Sequence, residues 1–147
     1  MNTHARTAGA ALVTAGVLVG GGFAAAGVGS AAPASTSHTI SFVTHTLKDV
    51  QRGPWDLEAS KDAHNGKIVG TDVTNCHFHF STSSATCRAA IAHVGGMIYA
   101  KFVFHPDARE VTGKVTGGTD TYRGATGTMT AKPRKDGTTK VVLTFTT

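Results

Sequence analysis

The chain has 147 residues, with 14 Lys and Arg against 9 Asp and Glu, for a formal charge of +5 with histidine neutral. Its basic residues are scattered and never fall in a run of three, which excludes the stripe of clustered charge that marks a nucleic-acid binder. Positive charge spread in this way keeps a protein soluble.

The N-terminus reads as an export signal. Met1 to Arg6 is short, polar and positive, while Ala8 to Gly29 is uncharged and built almost wholly of Ala, Val, Leu and Gly. Small residues follow at Ser30-Ala31-Ala32-Pro33-Ala34. This order predicts a signal peptide over 1–34, cleaved after Ala34. The apolar run is about long enough to span a bilayer, but it is rich in glycine and no basic cluster follows it. Cleavage is therefore favoured over an uncleaved anchor, with a secreted product and no stable membrane insertion afterwards. The folded-protein export route has no support, because no Arg-Arg pair precedes the apolar stretch. Arg6 is the one Lys, Arg, Asp or Glu lost, so the mature part, 35–147, carries +4. A segment of this size makes one domain.

The mature part predicts strands. Thr and Val abound, Gly recurs in short clusters, and no window keeps apolar residues at helical spacing over three turns. After a loose tail, a first strand covers Thr39 to Thr46. Leu47 to Gly66, with Gly53-Pro54 and many charges, reads as a long loop. Further strands fall near Lys67–Phe80, Ala85–Val94, Met97–Phe104, Arg109–Thr116, Thr126–Lys132 and Thr139–Thr146. Turn signals separate them at Ser81–Ser84, Gly95-Gly96, His105-Pro106-Asp107, Gly117-Gly118 and Asp136-Gly137. Consecutive strands joined by short turns make an all-β antiparallel meander.

The turns predict a register. Gly95-Gly96 as a two-residue hairpin loop pairs Val94 with Met97, Ile91 with Ala100 and Cys87 with Phe104. Placing Cys76 opposite Cys87 sets Phe78 against Ala85 and Asp72 against Ile91. One face then gathers Ile68, Asp72, Cys76, Phe78, Phe80, Cys87, Ile91, His93, Ile98, Phe102 and Phe104. The other gathers Asn75, His77, His79, Arg88, Tyr99, Lys101 and His105. Cys76 and Cys87, the only cysteines, are expected to form a disulfide in an oxidising compartment.

Two features invite chemistry. His77 and His79 share a face, but a zinc site needs further ligands, so they read as exposed histidines and no metal is expected. Asp72 and His93 break the dry face, diagonal to one another. Ionisable groups facing a core are costly unless paired and often mark functional pockets. They form either an acid–base pair or a pair at the barrel rim reaching water.

The stretch Val115-Thr-Gly-Gly-Thr-Asp-Thr-Tyr-Arg-Gly-Ala-Thr-Gly127 resembles the glycine-rich segment of the allene oxide cyclase and dirigent barrels. Gly66-Lys-Ile-Val-Gly-Thr-Asp72, followed by two cysteines, a Gly-Gly hairpin and an apolar strand, resembles the bacterial secreted branch of that superfamily. Tyr122 and Arg123 match the pattern. His45-Thr46 stands where dirigent strands commonly end in His-Asp, Asp120 where a Gly is usual, and Thr126 where a second Arg is usual.

The resemblance implies an eight-stranded antiparallel barrel, an up-and-down meander of calycin-like form, often trimeric, with an apolar cavity. It also implies work on a hydrophobic small molecule without a cofactor. The expected function is a cyclase- or isomerase-type barrel, with a non-catalytic dirigent-like or carrier barrel as the alternative. On that reading Asp72 and His93 form the acid–base pair and Arg123 stabilises charge. Phe42, Phe78, Phe80, Ile91, Ile98, Phe102, Phe104 and Tyr122 line the pocket.

Overall fold

The computed structural model describes residues 35–147; the expected signal peptide lies outside the described residues. Eight strands follow in order: β1 Ser37–Arg52, β2 Trp55–His64, β3 Lys67–His79, β4 Ser84–His93, β5 Gly96–Phe104, β6 Val111–Gly118, β7 Thr126–Pro133 and β8 Thr139–Thr146. Each pairs antiparallel with the next, and β8 returns to β1, closing an up-and-down barrel. Closure removes every sheet edge, so no strand is left as a template for aggregation.

The expected loop over Leu47–Gly66 is wrong. β1 runs on to Arg52, with a bulge at Leu47 between the pairs Thr46–Ser60 and Lys48–Ala59. Gly53-Pro54 is a two-residue turn, Gly53 taking φ +57°, and β2 pairs back from Trp55 opposite Arg52. The strand escaped notice because its polarity is inverted. Asp56, Glu58, Ser60 and Asp62 turn inward, whereas Trp55 and Leu57 are outside, 51% and 46% exposed.

The cysteine register is as expected: Cys76 pairs with Cys87, Phe78 with Ala85 and Asp72 with Ile91. The Gly-Gly hairpin is not. Its loop is Val94-Gly95, which pairs His93 with Gly96, Ile91 with Ile98 and Cys87 with Phe102. That is a slip of two residues, which preserves the faces because side chains alternate with period two. Ile68, expected inside, is 60% exposed. An irregularity between Asp62–Gly70 and Ala63–Ile68 leaves Val69 unpaired and reverses the parity below it.

The two ends of the barrel differ. At one end Ile98, Val115, Ala125, Leu143 and Phe145 are fully or almost fully buried, with Ile40, Val69 and Tyr122 packed against them. Here the glycine-rich segment closes the floor. A β-carbon on Gly118 would lie 2.5 Å from the Met97 carbonyl oxygen and 2.6 Å from the Tyr122 β-carbon, so only glycine lets these backbones meet. Tyr122 donates its hydroxyl to the Val94 carbonyl at 2.6 Å, pinning the segment to the β4–β5 turn. The other end opens into a cavity.

Candidate functional site

The cavity holds about 230 Å³ and is walled by all eight strands. Its lining divides by strand. From β4 to β8 it is almost wholly apolar, including Ile91, Phe102, Phe104, Val111, Met129 and Val141. From β2 and β3 it presents Asp56, Glu58, Ser60, Asp72 and Thr74. Alternate residues along a strand lie roughly 7 Å apart, so Asp56, Glu58 and Ser60 form a polar column descending from the mouth. Asp72 stands opposite Ser60 on the neighbouring strand.

Below them lies Asp62, fully buried and opposite Gly70. Gly70 makes its room: a β-carbon there would come within 3.3 Å of Asp62 Oδ2 and collide with the Ala92 carbonyl. Asp62 and Asp72 are diagonal neighbours across the β2–β3 ladder. With both ionised neither can donate, and both oxygens of Asp62 and Oδ2 of Asp72 find no hydrogen-bond partner among the described residues. One proton resolves this. Burial and the neighbouring Asp72 push the Asp62 carboxyl up to about 8, so at neutral pH it is the donor and Asp72 the acceptor. Burial also raises Asp72, opposed by that hydrogen bond.

Higher up, Glu58 Oε1 accepts from the Thr46 hydroxyl at 2.6 Å and the Ser60 hydroxyl at 3.0 Å, which fixes its rotamer against the wall. Asp56 near the mouth is raised to about 6, first by desolvation and then by Asp49 and Glu58. The arrangement offers Asp72 backed by the buried Asp62, a fixed carboxyl acceptor in Glu58 and a carboxyl at the entrance in Asp56, with Asp56, Glu58 and Asp72 facing apolar walls. It can hold a ring-sized molecule and give or take a proton along one edge of it.

Of the residues expected to line a pocket, Phe42, Phe78, Ile91, Phe102 and Phe104 face the cavity. Phe80 does not: β3 ends at His79, Phe80 opens a 3-10 turn, and it is 74% exposed. Ile98 and Tyr122 pack into the closed end and lie outside the cavity lining. Asp72 is in the cavity, but the structure does not join it to His93. The His93 ring sits at the closed end, its Nδ1 3.1 Å from the Tyr122 hydroxyl and 3.3 Å from the Val94 carbonyl. Arg123 is exposed beyond the second 3-10 turn, so the three side chains do not converge.

The residues missed are Asp56, Glu58, Ser60 and Asp62. Their signal was present as acid or serine at every second position from 56 to 62, the period of a strand. On the outer wall the His77 ring packs tilted against Trp55, with ring centroids 4.4 Å apart, and His79 Nε2 lies 3.0 Å from the Thr86 hydroxyl. Among the described residues no group of three or more His, Cys, Asp or Glu has the geometry to hold a metal ion.

The barrel is similar to a solved pyocyanin demethylase, with a TM-score of 0.64 and 20% identity over 74% of this chain and 99% of that one. It is also similar to a pterocarpan synthase dirigent protein, with a TM-score of 0.57 and 15% identity over 83% of this chain and 97% of the other. The likeness is one of fold. No protein-family model matches the chain, and no curated protein matches it.

Proposed function

We propose that this barrel takes an apolar small molecule into its cavity and moves a proton on it, in the manner of a cofactor-free isomerase or cyclase. The observation that carries the reading is a cavity whose apolar walls face the carboxyls of Asp56, Glu58 and Asp72, with the buried Asp62 behind Asp72. Asp72 is the group that meets the molecule, and Asp62 behind it stores the proton. A carboxyl held near neutrality by burial suits general acid–base work at physiological pH. The walls would hold the molecule in one pose, lowering the entropy cost of its rearrangement.

Two barrels of the same shape, named for a demethylase and for a synthase, support chemistry on small molecules in this architecture. The buried Cys76–Cys87 disulfide supports an oxidising, extracytoplasmic setting.

The test has two steps. Native mass spectrometry of protein purified from its own secretion should show a bound small molecule. That molecule, incubated with the protein in heavy water, should take up deuterium, and Asp72→Asn should abolish the uptake while leaving the melting temperature within a few degrees. Binding without any deuterium uptake would make the barrel a carrier and overturn the catalytic half of the proposal.

A further inference from the structure

We infer that the ligand of this cavity is a cation: a flat, largely apolar molecule carrying a positive charge or a protonated nitrogen on one edge. This deepens the reading above and rests on it, since it requires the cavity to be a ligand site. Asp56, Glu58 and Asp72 all line the cavity, and among the described residues no Lys, Arg or His does so. Asp72 is 8% exposed, and apart from the proton it shares with Asp62 its Oδ2 has no hydrogen-bond partner among the described residues. Asp56 Oδ1 is buried without a partner in the same way. A buried carboxylate is costly until a counter-charge or donor reaches it. Among the described residues no cation reaches these carboxyls; their side-chain donors are the Thr46 and Ser60 hydroxyls on Glu58, the Asp62 proton on Asp72 and the distant Thr74 hydroxyl, 3.5 Å from Asp72 Oδ1.

The facing wall completes the match. Ile91, Phe102, Phe104 and Met129 accept an apolar body, and aromatic faces also attract positive charge. A carboxylate-bearing ligand would meet like charges at close range in a poorly screened site. A neutral hydrocarbon would leave the carboxyls unpaired. Residues 35–147 carry +4, so the barrel as a whole favours anions and the cavity reverses that sign.

The test uses three probes of matched shape: N-methylquinolinium, 1-methylnaphthalene and 1-naphthoate, titrated by calorimetry into the protein and into Glu58→Gln and Asp56→Asn. The cation should bind at least about tenfold tighter than the neutral probe, with the anion weakest. Each substitution should narrow the gap about threefold or more by weakening the cation alone; two variants are used so that one misfolded protein does not decide the result. Equal or tighter binding of 1-methylnaphthalene would overturn charge selection and leave the cavity as an apolar site. A cation preference that survives both substitutions would also overturn it, because the charge would then be read elsewhere. Failure of all three probes to bind would sink the ligand-site reading itself.

Discussion

Asp62 and Asp72 occupy diagonal positions on the β2–β3 ladder, Asp62 across from Gly70 and Asp72 across from Ser60. Both are buried, and no basic side chain is bonded to either among the described residues. Their stability rests on one shared proton, and this makes the fold sensitive to pH in an unusual direction.

A carboxyl whose folded pKa lies above its unfolded value stabilises the fold fully below the unfolded value, and that contribution is lost as pH rises through the folded value. For Asp62 the window runs from about 4 up to about 8. The melting temperature should therefore fall as pH is raised from 5 to 8.5. Asp62→Asn keeps a donor toward Asp72 without the charge. It should flatten this dependence and raise the melting temperature at pH 8 by roughly 4–8 °C, as relief of about 1 kcal/mol does in a domain of this size. Calorimetric scans across that range check it, and an unchanged slope in the variant would remove Asp62 as the cause.

Phe102 and Leu143 separate the cavity from the core. Phe102 is half-buried and lines the cavity, whereas Leu143 is fully buried in the closed end. Leu143→Ala should cost about 3–4 kcal/mol, because packed neighbours cannot collapse onto the void. Phe102→Ala should cost less than about 3 kcal/mol and instead weaken binding of an apolar probe. Denaturant titration of both variants, with probe binding, would show the reverse order if the cavity were packed core.

The disulfide joins directly opposed residues 11 positions apart. Closing so short a loop contributes about 2–3 kcal/mol on the chain-entropy model. The paired substitution Cys76→Ala with Cys87→Ala should lose that amount yet still fold. Unreduced protein should resist alkylation and show a two-hydrogen mass deficit. Alkylation of both thiols without reductant would contradict the bridge.

The N-terminal segment carries its own prediction. Secreted protein should begin near Ser35, lacking the residues through Ala34, when its intact mass is measured. A retained Met1 would make the apolar stretch an anchor.

Period-two alternation with punctuating turns was enough to read an antiparallel all-β chain, because strand faces alternate whatever their partners. The β3–β4 register came from setting the two cysteines opposite each other, and even a two-residue slip at the Gly95 hairpin left Phe102 and Phe104 facing inward. Resemblance in the glycine-rich segment carried the count to eight strands. Its own residues serve closure: Gly118 and Tyr122 seal the floor, and Arg123 lies outside.

What the sequence hid was β2. Asp56, Glu58 and Asp62 read as loop residues because inward-facing charge contradicts the usual cost of burial. That cost is met only when β3 brings Asp72 beside Asp62 so that one proton serves both. Whether a carboxyl on an alternating strand faces water or a cavity depends on which side of the sheet becomes the inside. Barrel closure between β1 and β8, across about a hundred residues of chain, decides that.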